Sequence, residues 1–71
     1  MFQFSRELIL PLFLQMRIPI TTLAKRAGVS YSAVEKAVNG RRISAQVVDR
    51  IATALGIDAV KYLEPKVSAS Y

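Results

Sequence analysis

The sequence predicts an all-α domain of five helices. Three observations predict it. Apolar residues recur at helical spacing, as in Val34, Ala37 and Val38, and again in Val47, Val48, Ile51, Ala52 and Leu55. Gly28, Asn39-Gly40 and Gly56 stop these runs, while Ser30, Ser44 and Asp58 stand where N-cap residues belong. The segment from Ser44 to Leu55 shows no alternation of period two, so no strand is expected there.

The stretch from Thr21 to Asn39 reads as helix, tight turn, helix. A helix over Thr21 to Ala27 carries Leu23, Ala24 and Ala27 on one side. Gly28 follows at the place of a left-handed C-cap residue. Val29 plugs the corner, and Ser30 opens a second helix that runs to about Val38. Ala24 is small enough to let the two helices meet closely. With Val34, Ala37 and Val38 turned to the core, Tyr31, Ser32, Glu35, Lys36 and Asn39 are left on the outer face. That arrangement fits a helix-turn-helix whose second helix enters the major groove of DNA.

Before this unit, Phe4, Leu8, Leu12 and Met16 share a spacing of four, widened by Ile9 and Phe13, and predict a helix from about Ser5 to Arg17. Pro11 allows two readings. The helix kinks there, at a cost of about 3 kcal/mol or more, or it starts near Pro11 after an irregular lead-in. Pro19 biases Ile18 towards extended structure and can begin the next helix. The apolar run from Leu8 to Leu14 is seven residues long, too short for a membrane span, and it lacks the cleavage site of a signal peptide.

After Gly40, Arg41 and Arg42 form a basic loop, Ser44 caps a fourth helix ended by Gly56, and Asp58 caps a short fifth helix of about Ala59 to Leu63 that Pro65 stops. Residues 66–71 read as a loose tail, and 1–71 as a single domain.

Composition narrows the function. With no His and no Cys, the chain has neither the commonest general base nor a thiolate ligand, and it shows no phosphate loop. No enzyme, cofactor, metal or small-molecule ligand is therefore expected. Absence of Cys fits a reducing cytoplasm, the expected location. The net charge is +5. Arg17, Lys25, Arg26, Lys36, Arg41 and Arg42 face the single acid Glu35 between Arg17 and Val48, whereas Arg6, Arg50, Lys61 and Lys66 balance Glu7, Asp49, Asp58 and Glu64 outside it. The whole net charge thus sits on or beside the helix-turn-helix, as a phosphate-binding footprint would.

The segment Gly28-Val29-Ser30-Tyr31-Ser32-Ala33-Val34-Glu35-Lys36-Ala37-Val38-Asn39-Gly40-Arg41-Arg42-Ile43 resembles the recognition region of the Cro and CI repressors of lambdoid bacteriophages. It is nearest to Cro in its Ser-Ala-aliphatic-polar-Lys-Ala-aliphatic run and in the basic pair after it. Ala27 to Asn39 is also similar to the lac-repressor family. The resemblance covers roughly Pro19 to Ile57. It implies a five-helix Cro/CI-like fold of the all-helical kind and a repressor of operator DNA. Two departures matter. Ile20 stands where the family often has a polar residue near the DNA backbone, so no role is carried onto it. The best-known Cro fold has β-strands after its recognition helix, where this chain has helical spacing. The length is short of the second, oligomerising domain of CI, which favours Cro, with a bacterial host cytoplasm implied.

The resemblance implies that Tyr31, Ser32, Glu35 and Lys36 point at base edges. Lys36 can donate to guanine O6 and N7, and Glu35 can accept from cytosine N4. Ser32 is adaptable, and Tyr31 can hydrogen-bond or pack on a thymine methyl. Glu35 has two further readings, pairing with Lys36 or Arg42 and repelling wrong sequences. Thr21, Thr22, Lys25, Arg26, Asn39, Arg41 and Arg42 are candidates for phosphate contacts, with Arg17 a weaker one; Lys25 and Arg26 read equally as solvated charges. One helix reads few base pairs, so a weak or DNA-assisted homodimer on a pseudo-palindromic double-stranded operator is expected. Val60, Tyr62 and Leu63 offer a modest dimer patch or cap the domain's own core. Competing functions are a protein-interaction module such as an antitoxin and an architectural DNA binder without sequence preference.

Overall fold

Side-chain caps open the last three helices of the structure, a computed structural model that describes residues 2–63. The helices are α1 (Arg6–Met16), α2 (Ile20–Ala27), α3 (Tyr31–Val38), α4 (Ala45–Leu55) and α5 (Ala59–Tyr62). Ser30 and Ser44 cap α3 and α4, each hydroxyl accepting from the N–H three residues on, Ala33 at 3.1 Å and Val47 at 3.2 Å. The Asp58 carboxylate accepts from the Val60 N–H at 3.2 Å and starts α5. The expected stop at Pro65 and the tail 66–71 lie outside the described residues.

The turn of the helix-turn-helix follows from one conformation. Gly28 adopts φ 72°, the left-handed region that a side chain disfavours. Its N–H donates to the Lys25 carbonyl at 3.3 Å, and the Val29 N–H reaches back to the Ala24 carbonyl at 3.1 Å. This pair of bonds closes the end of α2 and redirects the chain into α3.

Helix α1 runs from Arg6 through Pro11 to Met16, so it does not start near Pro11 after an irregular lead-in. A proline cannot donate to the carbonyl four residues back, which belongs to Glu7. Both Pro11 and Glu7 lie on the exposed side of the helix, where solvent can supply the missing donor. Arg17 ends α1 in the left-handed region at φ 54°, the one described non-glycine residue with positive φ. Across this corner α1 and α2 are bent by 100°. Helix α2 begins at Ile20, one residue before the expected start, with Pro19 as its N-cap residue rather than its first helical residue.

The core is built by α2 packed on both α3 and α4, with α1 against α3 and α5 against α4. Leu23, Ala24 and Ala27 meet Val34, Ala37, Val38, Val48, Ile51 and Leu55 there, as their spacing predicts. Val29 and Val47 are half-buried at its margin. No buried side-chain polar atom among the described residues lacks a hydrogen-bond partner.

The N-terminal segment differs from the expectation. The spacing-of-four stripe is not the core face of α1. Ile9 and Phe13 are buried, whereas Leu8 is 50% and Met16 39% exposed. Phe4 is fully buried but extended rather than helical. It forms an isolated antiparallel bridge with Leu63, and Phe2 forms another with Ile43. The reason is that α1 is apolar all round between Leu8 and Leu14, where Leu8, Ile9, Leu10, Leu12, Phe13 and Leu14 give no polar side to mark solvent. Phe4, lying before the helix, has its own direction. At the other end, Tyr62 and Leu63 pack on the core while Val60 is 75% exposed, which divides the expected dimer patch.

Candidate nucleic-acid interface

Helix α3 has two faces with separate tasks. Val34, Ala37 and Val38 are buried. Ser32, Glu35, Lys36 and Asn39 follow at i, i+3, i+4 and i+7 and are all exposed on the other face. With Arg41 they line one open recess of about 290 Å³. Three candidate base-reading residues and two candidate phosphate-binding residues are thereby brought together. Tyr31, in the first turn of α3, is 51% exposed and does not line that recess. The Asn39 side chain is partly committed, since its Nδ2 donates to the Glu35 carbonyl at 2.8 Å and closes the end of the helix.

The basic loop leaves α3 in a defined direction. Gly40 takes φ 73°, its N–H donates to the Ala37 carbonyl at 3.2 Å, and the Arg41 N–H donates to the Lys36 carbonyl at 2.9 Å. Arg41 and Arg42 are exposed, and Ile43 after them is buried. Ile43 exchanges two backbone hydrogen bonds with Phe2, of 2.7 and 2.8 Å. The two arginines therefore stand between a closed helix end and a buried anchor.

On α2, Thr21 is exposed and Thr22 half-buried in the first turn, at a helix start with no side-chain cap. Lys25 and Arg26 are exposed in the last turn of the same helix, where positive charge complements the helix dipole. None of these four residues lines the α3 recess. One basic residue near the motif was not anticipated. Arg50, on α4, lies so close to Gly28 that a Cβ there would stand 3.0 Å from its Nη1. With Gly28, Val29, Ser30, Ala33, Gln46 and Val47 it lines a second open recess of about 270 Å³ beside the turn. No local signal marks Arg50, because its nearness to Gly28 depends on how α4 packs on α2.

Residues 12–59, more than half of the chain, match the family model of the Cro/C1-type HTH DNA-binding domain. The chain belongs to that family. No match was found among curated proteins or among solved structures. A Cro/C1-type domain binds DNA, which makes this chain a DNA-binding transcription regulator. The exposed face of α3 and the Arg41-Arg42 loop both fall within the matched residues, while the extended segment with Phe2 and Phe4 lies before them. Among the described residues, no group of three or more His, Cys, Asp or Glu is placed to hold a metal ion, and no single helix is long and apolar enough to cross a membrane.

Proposed function

We propose that this Cro/C1-type domain is a sequence-specific repressor of the phage Cro kind, acting as one domain that occupies operator DNA overlapping a promoter. The observation that carries this reading is the recess lined by Ser32, Glu35, Lys36, Asn39 and Arg41. It combines a donor, an acceptor and an adaptable hydroxyl, the groups that distinguish base edges in the major groove, with an arginine suited to a phosphate. In this reading Lys36 takes guanine, Glu35 takes cytosine N4, and Ser32 and Tyr31 adjust to neighbouring bases. Arg41, Arg42 and Asn39 hold the backbone after α3, and Thr21, Thr22, Lys25 and Arg26 hold it from α2. The similarity of residues 28–43 to Cro supports the repressor class.

A helix such as α3, eight residues long, reads only a few base pairs, so two copies on a pseudo-palindromic site supply the specificity. Val60 is the exposed apolar residue of α5 available to such a pair, and the association is weak or DNA-assisted. Selection of binding sites from a pool of random duplexes at near-physiological salt tests the reading. The expected result is a two-fold consensus with half-sites about one helical turn apart. Salt-sensitive binding without a consensus replaces the repressor by an architectural DNA binder, and absence of binding points to a protein partner.

A further inference from the structure

We propose that residues 2–5 are a strap that positions the Arg41-Arg42 loop for DNA, with Gln3 as a positioning residue. The proposal rests on the DNA-binding reading and extends it to a segment outside the family match, which begins at residue 12. Four observations converge on it. Phe2 and Ile43 exchange backbone hydrogen bonds of 2.8 and 2.7 Å. Gln3 Nε2 donates to the Gly40 carbonyl at 3.3 Å, thirty-seven residues away along the chain. Phe4 is fully buried, and its carbonyl oxygen would lie 3.3 Å from a Cβ on Gly40. The Ser5 N–H donates to the Tyr62 carbonyl at 2.6 Å.

The strap thus grips the loop on both sides of the arginine pair, at Gly40 and at Ile43. Its own far end is held by the buried Phe4 ring and by α5. Two adjacent arginines on a free loop lose backbone freedom as well as rotamer freedom when they settle on phosphates. Fixing the backbone beneath them before binding removes part of that cost. The strap touches the loop backbone at Gly40 and Ile43, so its influence on DNA passes through Arg41 and Arg42.

The test uses the full chain with Gln3→Ala, which removes one half-buried hydrogen bond and leaves Phe4 in place. Affinity for the selected duplex is measured in the natural background and in an Arg41→Ala/Arg42→Ala background, at salt low enough for both to bind. The expected result is an about two- to fivefold weakening in the first background and little change in the second, with the melting temperature nearly unchanged. The same weakening in both backgrounds, or none in the first, overturns the strap. Amide hydrogen exchange on the free protein separates the two readings. Faster exchange at Ile43 in Gln3→Ala supports the strap even where the chain binds no duplex, an outcome that removes the repressor reading instead. Unchanged exchange there overturns the strap.

Discussion

Gly40 lies against Arg6 so closely that a Cβ on Gly40 would stand 3.0 Å from the Arg6 Cβ. The contact joins the residue after the α3 C-cap to the first residue of α1, and a side chain at Gly40 would require its neighbours to give by a few tenths of an ångström. Gly56, with nearly the same backbone at φ 71°, has nothing within 4 Å of its hypothetical Cβ. Alanine at either position meets the left-handed backbone cost of about 1–2 kcal/mol. Gly40→Ala should cost at least about 1 kcal/mol more than Gly56→Ala, because Cβ–Cβ crowding in a packed region is added. Urea denaturation of the two variants checks this; equal losses would mean that the strap and Arg6 yield freely.

The apolar side chains of α1 should divide by face. Ile9→Ala and Phe13→Ala are expected to destabilise by about 2–5 kcal/mol, since each empties core volume. Leu14, 62% exposed, should accept Ser within about 0.5 kcal/mol. A Leu14→Ser loss as large as that of Phe13→Ala would place the core side of α1 elsewhere.

Three serines precede helices, but only some of them cap by hydroxyl. Ser30 and Ser44 accept from N–H groups of α3 and α4, whereas the Ser5 side chain makes no cap hydrogen bond to α1. Ser30→Ala and Ser44→Ala should each cost about 1 kcal/mol. Ser5→Ala should cost clearly less, a ranking readable from thermal unfolding of the three variants.

Lys36 and Arg42 are expected to fail differently. Lys36→Ala should weaken binding to the preferred site by about 1–3 kcal/mol and relax preference at one base pair. Equal weakening on every duplex would remove Lys36 from the base readers. Arg42→Ala should weaken all duplexes alike and reduce the salt slope by about one unit. An unchanged slope would take Arg42 off the phosphate backbone.

The helix-turn-helix was legible because its information is local. Gly28, Ser30 and the spacing of Val34, Ala37 and Val38 each act within one turn of chain, so periodicity and caps sufficed for α2, α3 and α4. The outer face of α3 was legible for the same reason: once the buried residues of a helix are known, the exposed ones follow. The N-terminal segment was not legible in this way. Six apolar residues between Leu8 and Leu14 fit several helical stripes equally well, and only packing against α3 selected Ile9 and Phe13.

By itself, then, the sequence determined the helical class, the turn at Gly28, the caps at Ser30, Ser44 and Asp58, and the concentration of charge on the motif. All of these rest on backbone preference and short-range spacing. The tertiary structure alone decided that Phe4 is buried, that Phe2 and Gln3 grip the loop around Arg41 and Arg42, and that Arg50 approaches Gly28. Those contacts join residues far apart in the chain, and burial of apolar surface, which has no direction along the sequence, brings them together.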